Sequence, residues 1–301
     1  MKLEIIHETR YDYEPAAETA QHIAYLEPQQ GAHQKLLSHA LDVSPVPAQM
    51  RQTRDVYGNS RCFFSLQSPH GQLKVVAHSL VRTEAAVPSQ SHIPWESARE
   101  ALCYHPGSLQ DAASEFVYAS SFCPLHAEFA AYARCSFGPG AATLQAATDL
   151  MRRIHSDFVY ESQSTEVNTP VLQAFRQRRG VCQDFAHIMI SCLRSIGLAA
   201  RYVSGYLLNM PVPGTIKLQG SDASHAWVCV YLPDLPEEQR WYDLDPTNNR
   251  GGWLTPGEDY VKLAVGRDFA DVSPLRGVIR GGTSHTLAVA VTVRRIFDGE
   301  P

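Results

Sequence analysis

The run Arg179-Gly180-Val181-Cys182-Gln183-Asp184-Phe185-Ala186-His187 decides how the rest of the chain is read. It continues into Ile188-Met189-Ile190-Ser191-Cys192-Leu193-Arg194-Ser195-Ile196-Gly197, where Phe185, Ile188, Met189, Cys192, Leu193 and Ile196 recur at helical spacing. Gly180 therefore reads as a turn and Cys182 as the first turn of a buried helix. A thiol at a helix start faces the partial positive charge of unsatisfied N–H groups, which favours thiolate over thiol. That suits a nucleophile, but an unpaired cysteine also serves as a small core residue, and this segment alone leaves both readings open.

Downstream of that helix the pattern turns to strands. Ala200 to Leu208 alternates, Pro211, Pro213 and Gly214 mark a loop, and the runs Ser224 to Leu232 and Arg240 to Thr247 read as adjacent antiparallel strands. Upstream, Ala141 to Ser156 places Leu144, Ala147, Leu150, Met151 and Ile154 on one helical face. Shorter helices are expected at Ser114 to Ala119 and Leu125 to Cys135. Another starts at Pro170, with Thr169 as its N-cap, and delivers the chain to Gly180.

The first 85 or so residues carry short alternating runs: Leu3 to Glu8, His22 to Leu26, His39 to Val43, Arg61 to Leu66 and Leu73 to Val81, with a turn at Tyr57-Gly58-Asn59. These predict a small β-sandwich. Residues 86–110, with Pro88, Pro94 and Pro106, read as a linker with at most a short helix at Trp95 to Cys103, and 111–301 as an α+β core. Ser284 to Ile296 alternates as a long strand able to join either part.

Composition narrows the class. A chain of 301 residues with a formal charge of −5 and no block of basic residues does not point to nucleic acid. The N-terminal alternation has no apolar signal core and no run reaches membrane-spanning length, so a cytoplasmic protein without a membrane partner is expected. The seven cysteines lack regular spacing and fit a reducing compartment. Cys123 with His126, and Cys182 with His187, lack the further ligands a zinc site needs. No metal or other cofactor is indicated.

A cysteine nucleophile needs a base, and the base needs a group that orients it. His225 opens one of the two paired strands and Asp245 ends the other, so antiparallel pairing brings imidazole and carboxylate to the same sheet edge. Asp243 is the competing carboxylate, on the same face but about 7 Å further from the strand end. The backbone N–H of Cys182 and the side chains of Tyr160 and Gln183 are candidate oxyanion donors. Asp184 reads as a helix cap or an ion-pair partner of Arg201, and Trp227 and Tyr206 as core.

Together, Gly180-Val181-Cys182-Gln183-Asp184-Phe185-Ala186, Ala200-Arg201-Tyr202-Val203-Ser204-Gly205-Tyr206, His225-Ala226-Trp227-Val228 and Asp243-Leu244-Asp245-Pro246-Thr247 resemble the bacterial transglutaminase-like superfamily, cysteine protease type. The first 85 residues, including Asp55-Val56-Tyr57-Gly58-Asn59, resemble the β-rich N-terminal region that often precedes this core. The resemblance implies a papain-like core with Cys182 as nucleophile, His225 as base and Asp245 as orienter. It also implies a thioester formed from a protein or peptide substrate and resolved by water or by an amine. The alternative is a binding or scaffolding protein that keeps this fold without turnover.

Overall fold

The computed structural model describes residues 1–107, 110–161, 169–209, 224–282 and 284–297. The loop expected at Pro211, Pro213 and Gly214 lies outside the described residues. The architecture is α+β: a β-rich N-terminal region and a core of helices packed on an antiparallel sheet.

The N-terminal sheet is built on one strand, β1 (Lys2–Ala24), joined by β2 (Gln34–Ser44), β3 (Gln49–Arg54), β4 (Ser60–Leu66) and β5 (His70–Thr83). The two runs expected at Leu3 to Glu8 and His22 to Leu26 are thus one continuous strand, which ends at Ala24. It stays continuous because its halves take different neighbours: Lys2–Asp12 pairs with β5, Ala20–Ala24 with β4, and the register shifts between Asp12 and Ala17. Leu73, Val75 and Ala77 from one wing meet Ala20, Ala24, Phe64 and Leu66 from the other in a shared core. The sheet therefore folds over itself as a sandwich does.

Helix α1 (Trp95–Glu100), a short 3-10 turn at Ala112–Val117, α2 (Ala127–Arg134) and α3 (Thr143–Asp157) follow. A two-residue strand, β6 (Val159–Tyr160), pairs in parallel with β7 (Arg179–Gly180), which follows α4 (Val171–Gln177). Pro170, rather than Thr169, occupies the cap position of α4, and no side chain caps that helix. Helix α5 (Cys182–Arg194) is then buried on nearly every side, the signature of a central rather than an amphipathic surface helix. Even Arg194 is 1 % exposed; its guanidinium is spent on the carbonyls of Tyr118, Ala200 and Arg267 and the Ser120 hydroxyl.

The core sheet contains β8 (Ala200–Leu207), β9 (Ser224–Tyr231), β10 (Trp241–Asp245), β11 (Arg250–Trp253) and β12 (Tyr260–Gly266), in the order β11-β10-β9-β8-β12. A short helix, α6 (Phe269–Val272), leads to β13 (Leu275–Gly281) and β14 (Ser284–Arg295), which both pair with β1. The long C-terminal strand thus joins the N-terminal sheet. Leu3, Ile5, Val81, Val291 and Val293 share one hydrophobic cluster with α5 and the core sheet, so burial of apolar surface, the main stabilising term in folding, is continuous between them.

The contact between the two sheets is also polar and specific. Strand β12 is an edge strand of the core sheet, and its free backbone groups are met by side-chain amides from the N-terminal sheet. The Asn59 amide bonds both the N–H and the carbonyl of Val265 at 2.8 and 2.7 Å. The Gln34 amide does the same at Lys262, both bonds at 2.8 Å. Asn59 is itself held by Asp55, through its backbone N–H at 2.9 Å and its side chain at 2.8 Å. The Asp55 to Asn59 turn thereby covers a sheet edge that would otherwise be open to pairing.

Candidate active site

Gly180 and Asp184 set the position of Cys182. Asp184 Oδ2 accepts the backbone N–H of Val181 at 2.8 Å, so the carboxylate closes the start of α5, the capping role expected of it. A Cβ on Gly180 would stand 2.7 Å from the Asp184 Cβ. Only glycine lets the chain pass this close to its own cap. The Gly180 carbonyl also accepts from Glu161 N–H at 3.0 Å, which ties the approach to α5 onto the end of β6. Cys182 is the first residue of α5 and is partly exposed, whereas Cys62, Cys123, Cys192 and Cys229 are buried.

His225 and Asp245 meet at the edge of the sheet. His225 Nε2 lies 2.7 Å from Asp245 Oδ2, with the carboxylate fully buried. Asp245 Oδ2 also accepts from the Tyr260 hydroxyl at 2.7 Å and Asn248 Nδ2 at 2.8 Å. Oδ1 takes the backbone N–H groups of Thr247 and Asn248 at 2.9 and 3.2 Å. The acceptor capacity of the carboxylate is thereby filled. Burial alone would raise its pKa, but the hydrogen bond and charge of His225, helped by Asn248 and Tyr260, hold it below the usual carboxylate value. The group is anionic and rigid.

The electrostatics of His225 follow from its neighbours. Burial opposes the imidazolium, but hydrogen bonds to Asp245 and to Cys182, together with their charges, outweigh it and raise the pKa to about 10. Since Nε2 is committed to Asp245, Nδ1 is the nitrogen left to meet the thiol. Cys182, His225 and Asp245, which come from three separate elements, therefore stand in one line of contact.

The other residues singled out in the sequence divide. Asp243 lies on the same strand as Asp245, but it is engaged by Lys262 at 2.9 Å and by Trp227 Nε1–H at 2.6 Å, and so is occupied away from the imidazole. Trp227 and Tyr206 are buried. Tyr160 is half-exposed rather than packed in the core; its ring meets Phe185 edge-on at 6.3 Å. Burial, and secondarily the charge of Cys182, raises its pKa, so it keeps its proton. Gln183 is partly buried on the first turn of α5. The Arg201 guanidinium stacks on Trp241. Cys123 is buried against the His187 carbonyl.

Tyr260 and Asn248 are the site residues the sequence reading missed. Asn248 had a signal, being three residues past Asp245 in Asp245-Pro246-Thr247-Asn248, a turn whose backbone folds back on the carboxylate. Tyr260 had none, because it arrives from a strand separated from Asp245 by β11 and a loop.

The fold and the site together define a transglutaminase-like protein, one with a thiol at a central helix start facing an antiparallel sheet. Residues 130–246 match the transglutaminase-like superfamily, and residues 3–82 match the bacterial transglutaminase-like N-terminal region. An uncharacterized protein of Mycobacterium tuberculosis is 38% identical over 302 residues, covering 98% of this chain and 93% of its own length. One from Mycobacterium leprae is 30% identical over 298 residues, with 98% and 99% covered. The crystal structure of a candidate cysteine protease from Cytophaga hutchinsonii superposes with a TM-score of 0.74 at 22% identity, over 100% of this chain and 93% of that one. The chain belongs to the bacterial transglutaminase-like superfamily.

Proposed function

We propose that this protein is a thiol-dependent acyl-transfer enzyme in which Cys182 is the nucleophile, His225 the base and general acid, and Asp245 the group that orients the imidazole. The observation that carries the reading is the joint engagement of His225, by a saturated buried carboxylate on one side and by the Cys182 thiol on the other. Sulfur attacks the carbonyl carbon of a peptide bond or glutamine carboxamide. Imidazolium passes its proton to the departing amine or ammonia, a thioester remains, and water or a second amine resolves it after His225 takes the incoming proton. The Cys182 backbone N–H, one of the donors a helix start leaves without an intrahelical acceptor, supports the developing oxyanion, with Tyr160 or Gln183 adding a side-chain donor.

The test is to incubate the protein with glutamine-containing peptides and a labelled primary amine and to read the products by mass spectrometry. Amine incorporation identifies transfer, new peptide termini identify proteolysis, and ammonia release alone identifies deamidation. Each should vanish in a folded Cys182→Ala variant. Any product that persists there excludes Cys182 as nucleophile, and a wild-type chain that yields none of the three favours a binding protein on this fold.

A further inference from the structure

Lys262 lies in the middle of β12 with 6 % of its surface exposed, and the chemistry above makes no use of it. Its ammonium is 2.9 Å from Asp243 Oδ1 and 3.2 Å from both Asp243 Oδ2 and the Leu254 carbonyl. Asp243 Oδ1 also accepts Trp227 Nε1–H at 2.6 Å and the Cys229 thiol at 3.1 Å. Buried ion pairs seldom add net stability over apolar residues of the same volume, so this one calls for a positional reason. Trp227 supplies it. The indole stacks on the His225 ring with centroids 6.0 Å apart and planes 28° apart, and it meets Tyr260 edge-on at 5.4 Å. Space for it exists because position 205 is glycine: a Cβ there would lie 2.4 Å from the indole and 2.2 Å from the Val261 carbonyl oxygen.

The surface beside His225 is thus an indole whose one polar atom is tied to Asp243, and Asp243 is tied to Lys262. Further contacts fix Lys262 itself. The Gln34 amide bonds its N–H and carbonyl, and Gln29 N–H adds a bond to that carbonyl at 3.0 Å. His33 faces the pair as neutral imidazole, because burial, reinforced by the Lys262 charge, pushes its pKa down to about 4. Leu254, whose carbonyl receives the ammonium, holds a left-handed φ of 63°. A residue with a branched side chain adopts that conformation only against backbone strain, which tends to persist where a site requires it.

We propose that Lys262 and Asp243 are positioning residues for His225, joining the N-terminal sheet to the base through Trp227. The inference rests on the catalytic reading given above. With the clamp in place, the imidazole keeps the plane that lets Nε2 meet Asp245 while the other nitrogen meets Cys182. With the clamp removed, the indole is free to turn and the contact with the thiol loosens.

The titratable groups facing His225 are Cys182 from α5, Asp245 from β10 and Tyr260 from β12. The pH profile of Cys182 alkylation by iodoacetamide therefore reports the geometry. Two variants of the full chain serve: Lys262→Met combined with Asp243→Asn, which leaves neither charge orphaned, and Trp227→Phe, which keeps a ring but removes the donor. In each we expect labelling of Cys182 at about pH 6 to slow roughly tenfold. The profile should move towards that of an ordinary thiol, with labelling of the exposed Cys103 and Cys135 unchanged and a cooperative thermal transition retained. A wild-type profile in a folded variant overturns the positioning role and leaves the catalytic reading standing. Should the double variant fail to fold, the Trp227→Phe profile decides. A wild-type chain whose Cys182 labels no faster than Cys103 and Cys135 removes the catalytic reading and this inference with it.

Discussion

The pairing of a partly exposed thiol with an imidazole that favours its proton makes a prediction specific to Cys182. If imidazolium persists through neutral pH, alkylation of Cys182 should change only a few-fold between about pH 8 and about pH 6. In His225→Ala it should fall more steeply over that interval, since no imidazolium then faces the sulfur. A wild-type profile as steep as that of His225→Ala would exclude a role for His225 in the reactivity of Cys182. The same groups contribute to stability with opposite signs. His225 has a raised pKa, so its contribution is fully present below its ordinary value of 6.5 and is lost as pH climbs through about 10. Asp245 has a lowered pKa, so its contribution is present above 3.8 and is lost as pH falls through its folded value. In urea unfolding, the stability gap between wild type and His225→Gln should therefore shrink between about pH 8 and about pH 10.5. A gap that is constant or grows would contradict the raised pKa.

At the scale of elements, what matters is how β12 is held. Asn59→Ala would leave both buried backbone groups of Val265 without their present partners, at a cost of about 2–4 kcal/mol if water does not enter. We expect a fall in the unfolding midpoint by urea or heat, with Asn59→Asp no milder because its carboxylate would face the Asp55 carboxylate and the Val265 carbonyl where the amide now donates; an unchanged midpoint would show that solvent replaces the amide. This strand also marks where sequence reading stopped. The Cys182 helix, the His225 strand and the Asp245 strand were legible because periodicity, glycine and the strand ends act locally. Tyr260–Gly266 was not, since it is buried throughout: it shows no alternation and carries a lysine at its centre. Tyr260 and Lys262 went unseen with it. Likewise β1 reads as two runs, Leu3 to Glu8 and His22 to Leu26, and only the change of partner strand explains why the pairing continues between them.

Across the whole molecule, the path of the chain argues that the core does not stand alone. After completing the core sheet it returns through β13 and β14 to pair with β1 along Leu3–Glu14 and Ala17–Ala24. The N-terminal sheet is thus assembled from both ends of the chain, and apolar residues from both ends enter the cluster around α5. Removing residues 1–85 would leave β13 and β14 without their partner, expose Val291 and Val293, and open β12 along Lys262 to Val265. A fragment of residues 86–301 should therefore be insoluble or lack a cooperative unfolding transition, and co-expression with residues 1–85 as a separate chain should restore both solubility and selective Cys182 labelling. A soluble fragment that unfolds cooperatively and labels like the intact chain would show the N-terminal sheet to be an attachment. Recovery of folding without recovery of labelling would limit its role to stability. Recovery of both is the outcome required if the clamp through Lys262 and Trp227 sets the imidazole, because that clamp is anchored by Gln34, which only the N-terminal piece supplies.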